Sequence, residues 1–500
     1  MATPSSPPVA MAEDDVILAI DQGTTGTTAL LLDRHVRVRA AHNVEFPNHY
    51  PQPGWVEHDV AEIWDSVRQA VKGALAAAPN VTIRAIGITN QRETSLFWDR
   101  NTGAPIHRAL VWQDRRTADI CAQLKDDGHE PAVQAATGLV LDPYFSGTKA
   151  GWLLDHVPGA RERAEAGELL FGTIDAWLAW KLCGTHATDA SNASRTLLFD
   201  LNTGAWSPDL CALLGVPLQT LPRVCDNAEN LGLTRGIDFL PDGIPVSGMA
   251  GDQQSALFGQ ACFAPGTAKC TYGTGAFVLM NTGHQVVRSS HGLLTTVAWR
   301  LGGETTFALE GSAFIAGAAV QWLRDGLGLI QSASEIETLA ASVPDSGGVV
   351  FVPALAGLGA PHWRPNARGL VSGITGGTTS AHLARAVLDG IALQNVDILR
   401  AMAADAQTPL AALKVDGGAA RNNLLLQLQA DLLGVSCVRP TVLETTALGA
   451  AFLGGLGAGL FENTQAITNA WVEDRTFQPS MHADEVARRM TLWSTAVSRA

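Results

Sequence analysis

Charge is scarce in this chain of 500 residues: Asp, Glu, Lys and Arg together make up 16% of it. What charge there is leans acidic, with 34 basic against 48 acidic side chains and a formal net charge of −14. Binding a nucleic-acid backbone needs concentrated Lys and Arg, so this balance argues against a nucleic-acid partner. A nucleotide ligand stays open, because backbone N–H groups hold phosphates without net positive charge. The 7 cysteines, an odd number, include no Cys-x-x-Cys pair. A metal cluster is therefore not expected, and reduced thiols in a cytoplasmic setting are. From Met1 to Glu13 there is neither a basic start nor a long apolar run, so a secretory signal is not expected and residues 1–15 read as a disordered tail. The longest uncharged Gly/Leu stretch, Ala447 to Phe461, falls short of the roughly 18 apolar residues of a membrane span. It reads as a buried helix and the turn after it.

What is present is apolar and glycine-rich: 46% hydrophobic residues and 50 glycines. That mix suits a compact α/β chain better than a disordered or fibrous one. At roughly 100–200 residues per domain, two to four domains fit. The run Val16 to Ile20 leads into Asp21-Gln22-Gly23-Thr24-Thr25-Gly26 and straight into Thr27 to Leu32, a strand–turn–strand pattern that predicts a hairpin. Asp59 and Glu62 have capping-box spacing ahead of Val60, Ile63, Trp64, Val67 and Val71, which recur at helical intervals. Ala85 to Thr89 predicts a strand that runs into Asn90-Gln91-Arg92-Glu93-Thr94. Such alternation points to an α/β domain.

Further along, Ile244 to Gly248 reads as a buried strand ending in Ala250-Gly251-Asp252-Gln253-Gln254. Lys269 to Tyr272, Gly273-Thr274-Gly275 and Phe277 to Met280 then repeat the hairpin pattern about 250 residues after its first appearance. Leu413 to Asp416 enters Gly417-Gly418 and a helix with Leu424, Leu425, Leu428 and Leu432. The two hairpins imply two related lobes. The Ala264-Pro265-Gly266 turn marks the boundary between residues 16–261 and 262–500.

A Gly/Thr turn between strands lets backbone N–H groups approach a phosphate, because Gly removes the Cβ obstruction and Thr adds neutral donors. Asp21, at the start of the first turn, would repel bare phosphate but suits Mg²⁺, directly or through water. A single turn of this kind is more simply a tight hairpin. Two, with the Gly417-Gly418 turn beside them, point to nucleotide binding. The Walker and dinucleotide glycine spacings are absent from these turns. Asp252 ends a buried strand, a position from which a carboxylate takes a proton from a hydroxyl nucleophile, or else caps the helix that follows. Arg92 and Glu93 read most simply as a solvated surface pair, with polyol recognition as the alternative. Trp112, Phe277 and Tyr144 read by default as core.

These segments carry a resemblance. Asp21-Gln22-Gly23-Thr24-Thr25, Pro53-Gly54-Trp55-Val56-Glu57-His58-Asp59, Asn90-Gln91-Arg92-Glu93-Thr94 and Trp112-Gln113-Asp114-Arg115-Arg116-Thr117 resemble the glycerol kinase branch of the FGGY carbohydrate kinases. So do Asp142-Pro143-Tyr144-Phe145-Ser146, Asn192-Ala193-Ser194-Arg195-Thr196, Ala250-Gly251-Asp252-Gln253-Gln254, Tyr272-Gly273-Thr274-Gly275 and Asp416-Gly417-Gly418-Ala419. The likeness runs from about residue 16 to at least residue 460.

The resemblance implies two ribonuclease-H-like α/β domains, as in actin and hexokinase, with ATP, Mg²⁺ and glycerol in the cleft between them. It implies Asp252 as general base. Arg92, Glu93, Tyr144 and Gln253 would then hold the glycerol hydroxyls, with Trp112 and Phe277 along the carbon chain. Thr24, Thr25 and Gly26 would contact phosphates from one domain and Thr274 from the other. Gly317, Gln321, Gly418 and Asn422 would border the nucleoside. A homo-oligomer, dimer or tetramer, is expected on the same ground. In the competing readings the chain is an FGGY kinase for a longer polyol or ketose, or an actin-like protein that uses ATP to drive conformation. Two positions depart from the pattern. Thr28 stands where relatives commonly have arginine, and Ile237 to Gly243 has two carboxylates and no arginine where some bacterial members bind a sugar bisphosphate.

Overall fold

The computed structural model describes residues 11–500. Of the expected tail, residues 1–10 lie outside the described residues, and Asp15 already opens the first strand. Val16 to Ile20 are fully buried, as befits a strand covered on both faces. This strand, Asp15–Gln22, pairs antiparallel with Gly26–Asp33, placing Gln22 opposite Thr27. The six-stranded sheet around them runs from edge to edge as Gly232–Leu233, Pro245–Gly251, Thr82–Asn90, Asp15–Gln22, Gly26–Asp33, Val38–Glu45. Asp15–Gln22, Thr82–Asn90 and Pro245–Gly251 are parallel neighbours.

A second sheet repeats the scheme. Its order is Leu294–Leu301, Glu304–Ala313, Ala276–Gly283, Thr267–Tyr272, Ala412–Asp416, Cys437–Pro440, Glu473–Phe477. Thr267–Tyr272 and Ala276–Gly283 form the second hairpin, with Tyr272 opposite Ala276. Thr267–Tyr272, Ala412–Asp416 and Cys437–Pro440 are parallel. In both sheets a hairpin has antiparallel company beyond its second strand and parallel strands beyond its first. That duplicated arrangement is the ribonuclease-H-like, actin- and hexokinase-like ATPase fold.

The helix Val60–Ala77 buries Val60, Ile63, Val67 and Val71. Its cap differs from the expected box. Asp59 Oδ1 accepts from the Ala61 amide at 2.8 Å, but the Glu62 carboxylate turns away to His49 Nε2 at 2.7 Å. The expected buried helix forms as Thr445–Gly457 and packs across the first sheet, although it lies late in the chain. Glycine makes this possible: a Cβ on Gly87 would lie 1.8 Å from the Ala450 carbonyl oxygen. None of the described helices is long and apolar enough to cross a membrane.

Candidate active site

Each hairpin turn closes on itself through one backbone bond, from the Gly23 amide to the Gly26 carbonyl and from the Gly273 amide to the Gly275 carbonyl, both at 2.9 Å. Gly26 is glycine because a Cβ there would sit 2.9 Å from the Val44 carbonyl oxygen of the next strand. Thr25 and Thr274 are exposed. The Thr24 hydroxyl accepts from Trp112 Nε1 at 2.9 Å. Thr28 does not point to the turn; its hydroxyl accepts from Asn43.

The nucleoside candidates divide between contact and periphery. A Cβ on Gly317 would meet the Gly273 carbonyl oxygen at 2.6 Å, and one on Gly417 the Tyr272 carbonyl oxygen at 2.4 Å. Both segments are thereby gathered on the second turn. Gly418 follows Gly417 and is exposed, as is Gln321 at the end of the short Gly317–Gln321 helix. Asn422 caps the helix Asn423–Leu433, its Oδ1 accepting from the Leu425 amide.

Arg92 and Glu93 overturn the reading as a solvated pair: their exposures are 3% and 2%. They sit in a tight turn after Thr82–Asn90, where the Thr94 amide donates to the Arg92 carbonyl at 2.7 Å. Glu93 has φ 63°, a left-handed conformation uncommon outside glycine. It is held by Ser146 Oγ, which donates to the Glu93 carbonyl, and by Arg195 Nε, which donates to its carboxylate at 2.7 Å. Burial at a strand end is tolerable for these charges because they are paired and hydrogen-bonded.

The partner that completes the network comes from the second sheet. Glu310, on Glu304–Ala313, accepts from Arg92 Nη1 at 2.5 Å and Nη2 at 2.9 Å, and from Arg195 Nη2 at 3.1 Å. Burial pushes the Glu310 carboxyl up, but Arg195 and Arg92 outweigh it and hold its pKa at about 2. Glu93 has fewer close guanidinium contacts, and burial raises it despite Arg92 and Arg195. Asp252 follows the strand Pro245–Gly251 and opens the helix Asp252–Gly259. The cap position itself is Gly251. Asp252 Oδ1 accepts from the Gln253 amide at 2.7 Å and lies 3.2 Å from Arg92 Nε. The side chain of Gln253 accepts from the buried Lys269 Nζ. Burial lowers the Lys269 pKa, with Asp416 opposing.

Trp112, Tyr144 and Phe277 are half-buried rather than core, and they line a cavity of about 710 Å³ together with Thr274 and Glu310. Trp112 and Tyr144 meet edge to face at 5.6 Å. Arg92 Nη2 reaches the Tyr144 hydroxyl at 3.4 Å, so the Arg92–Glu93 pair lies just behind this wall. The sequence reading assigned no role to Glu310, Arg195 or Lys269. A lone carboxylate in the apolar strand Phe307-Ala308-Leu309-Glu310 was the available signal, because such a charge needs a buried partner.

Asp21 supplies the remaining candidate. Burial, and then the charge of Asp252, raises its pKa to about 7. Asp252 has Arg92 Nε at 3.2 Å, so Asp21 is the carboxyl of the two that would hold a divalent cation. No group of three His, Cys, Asp or Glu side chains gathers among the described residues. Mg²⁺ there would take its other ligands from water and phosphate, as Mg²⁺ commonly does.

The duplicated sheets and the cavity lined by Trp112, Tyr144, Phe277, Thr274 and Glu310 define a two-domain protein of the actin- and hexokinase-like ATPase fold. Models of the N-terminal and C-terminal domains of the FGGY family of carbohydrate kinases match residues 16–259 and 268–458. The chain belongs to the FGGY family of carbohydrate kinases. It is 60% identical over 496 residues to the glycerol kinase of Myxococcus xanthus, covering 98% of this chain and 100% of that one. With the glycerol kinase of Dechloromonas aromatica it shares 56% over 490 residues, 97% of both. The crystal structure of Plasmodium falciparum glycerol kinase with ADP is similar at a TM-score of 0.92 and 36% identity, covering 97% of this chain and 98% of that one.

Proposed function

We propose that this chain transfers the γ-phosphoryl group of ATP to a terminal hydroxyl of glycerol, giving sn-glycerol 3-phosphate and ADP. The observation that carries the reading is the buried Arg92–Glu93 pair, with Asp252 beside Arg92 and Trp112, Tyr144 and Phe277 forming the wall in front. Guanidinium donors and carboxylate acceptors match vicinal hydroxyls, and the rings cover the short carbon chain. The relatives at 60% and 56% identity bear the same name, that of glycerol kinase.

In this reading Arg92, Glu93, Tyr144 and Gln253 hold the hydroxyls. Lys269, bonded to the Gln253 carbonyl, turns that amide so that its N–H groups are free to donate. Asp252 takes the proton of the attacking hydroxyl. Both of its contacts with the protein fall on Oδ1, and its side chain is 31% exposed, so Oδ2 is the oxygen available for that proton. Thr24, Thr25, Gly26 and Thr274 contact phosphates, and Gly317, Gln321, Gly418 and Asn422 border the nucleoside. Mg²⁺ held at Asp21 would offset phosphate charge. Phosphoryl transfer asks the protein chiefly for alignment and charge stabilisation, which these groups supply.

The same reading divides the chain into domains 16–261 and 262–500, with a cytoplasmic setting and a homo-oligomeric state. The competing reading takes a longer polyol or ketose as the acceptor. Glycerol-dependent ADP release, measured beside a panel of longer polyols and ketoses, tests both. ADP release that is indifferent to glycerol overturns the proposal.

A further inference from the structure

Arg92 has two carboxylates within reach beyond its sequence neighbour, and they lie on different edges of its guanidinium. The Nη1/Nη2 edge is taken by both oxygens of Glu310, at 2.5 and 2.9 Å. The Nε side faces Asp252 Oδ1 at 3.2 Å and Glu93 Oε1 at 3.7 Å. Guanidinium is planar, so a two-point contact along one edge fixes its plane and the direction of every other N–H. Asp252 therefore receives a single sideways contact, while the stronger bidentate pair goes to Glu310.

From this we propose that Glu310 is a positioning residue for the acceptor site: it holds the Arg92 guanidinium along its outer edge, so that Arg92 aligns the substrate without pairing fully with Asp252. The proposal rests on the reading of Asp252 as the general base. Without Glu310, the freed edge of Arg92 turns to the nearest remaining carboxylates, Asp252 and Glu93. A bidentate Arg92–Asp252 pair would occupy the oxygen that the hydroxyl proton needs. Arg195 reinforces the arrangement from the other side by sharing Glu310 Oε1 and holding Glu93. Its Nη1 is buried with no partner among the described residues, so Arg195 is bound to this site through those two carboxylates. Glu310 comes from the second sheet, while Arg92 follows a strand of the first and Arg195 follows the short helix Ala190–Ala193, so the acceptor site exists only when the two halves are docked.

The test compares Glu310→Gln and Glu310→Asp with the parent, measuring kcat, both KM values and the stoichiometry of a non-hydrolysable ATP analogue. Gln keeps the size of Glu310 and loses its charge; Asp keeps the charge at a shorter reach. Positioning by charge predicts that Glu310→Gln lowers kcat at least tenfold, with one analogue site per chain retained and the ATP KM within twofold. It also predicts that Glu310→Asp is the more active variant. A role in packing alone predicts the reverse order, with Gln the better replacement. Parent-like kcat in Glu310→Gln, or Gln outperforming Asp, overturns the proposal while a glycerol-active parent leaves the functional reading intact. A parent that does not phosphorylate glycerol overturns both. Loss of analogue sites in parallel with kcat marks unfolding, and overturns positioning as the cause.

Discussion

The indole Nε1 of Trp112 donates to the hydroxyl of Thr24 across 2.9 Å, tying the wall of the acceptor pocket to the first phosphate turn. A ring proposed to flank glycerol thus also sets a threonine proposed to meet ATP. Trp112→Phe keeps an aromatic face and removes the donor. One neutral hydrogen bond is worth about 1 kcal/mol, roughly fivefold in an equilibrium constant. We expect the KM for ATP to rise by about that factor alongside the KM for glycerol. Thr24→Val added to Trp112→Phe should cost less than the two separate losses combined. Strict additivity in that double-mutant cycle would show that the two sites are not linked through this bond.

Asp252→Asn should lower kcat by about 10²–10⁴-fold, the usual contribution of a general base, because an amide does not accept the hydroxyl proton. Binding of an ATP analogue should stay within a few fold of the parent, since the turns at Thr24 and Thr274 are untouched. Turnover near the parent rate, with the fold verified by circular dichroism, would take Asp252 out of the mechanism.

A Cβ on Gly449 would lie 1.8 Å from the Ser255 carbonyl oxygen, joining the Thr445–Gly457 helix to the helix that Asp252 begins. Gly449→Ala must push those backbones apart. Overpacking of this kind costs about 1–3 kcal/mol, and here it also displaces the helix of the base. We expect a lower melting temperature and, if Asp252 is the base as proposed, a lower kcat with it. Gly376→Ala, where a Cβ meets nothing within 4 Å, is the matched control. Indistinguishable melting curves for the two variants would show that the helices separate freely.

His58 is fully buried between Asn48 and Gln91. Burial, and then the charge of His49, lowers its pKa to about 4 from the ordinary 6.5. Between those values the unfolded chain binds the proton and the folded one does not. Stability therefore rises with pH across the window from about 4 to 6.5 and is lost as pH falls through it. From pH 6.5 to 4.5 this amounts to roughly 2–3 kcal/mol at 1.36 kcal/mol per pH unit. His58→Gln should flatten the unfolding free energy over that range by about this amount. His186, lowered to about 4 by burial, keeps part of the slope. Parallel pH profiles for parent and variant would show that folding leaves the His58 pKa unchanged.

Much of the fold was legible in local pattern. The two hairpins, the strands ahead of Arg92 and Asp252, and the uncharged helix at Thr445–Gly457 follow from runs of apolar residues and their punctuation by Gly and Thr. Such signals are short-range: strand, turn and helix are each decided by neighbours a few residues away. The acidic residue at the first hairpin turn, the one after the strand Pro245–Gly251, and the family segments then placed Asp21, Asp252 and the Arg92–Glu93 pair among the candidates.

Tertiary structure decided what those charges do. Arg92 and Glu93 look alike in sequence whether solvated or buried; what buries them is Arg195 and Glu310, more than 100 residues downstream, the hydrogen bonds spanning sequence separations of 102 to 218. No periodicity records such a pairing, because a buried ion has only to find its counter-charge in space. The same holds for the Thr445–Gly457 helix. Its composition makes it a buried helix, but only the glycine contacts at Gly87 and Gly449 decide that it is buried against the first sheet and the helix of Asp252. Local sequence fixes which backbone hydrogen bonds a segment can satisfy by itself; the partners of its charges and its glycine faces are settled by packing between segments far apart in the chain.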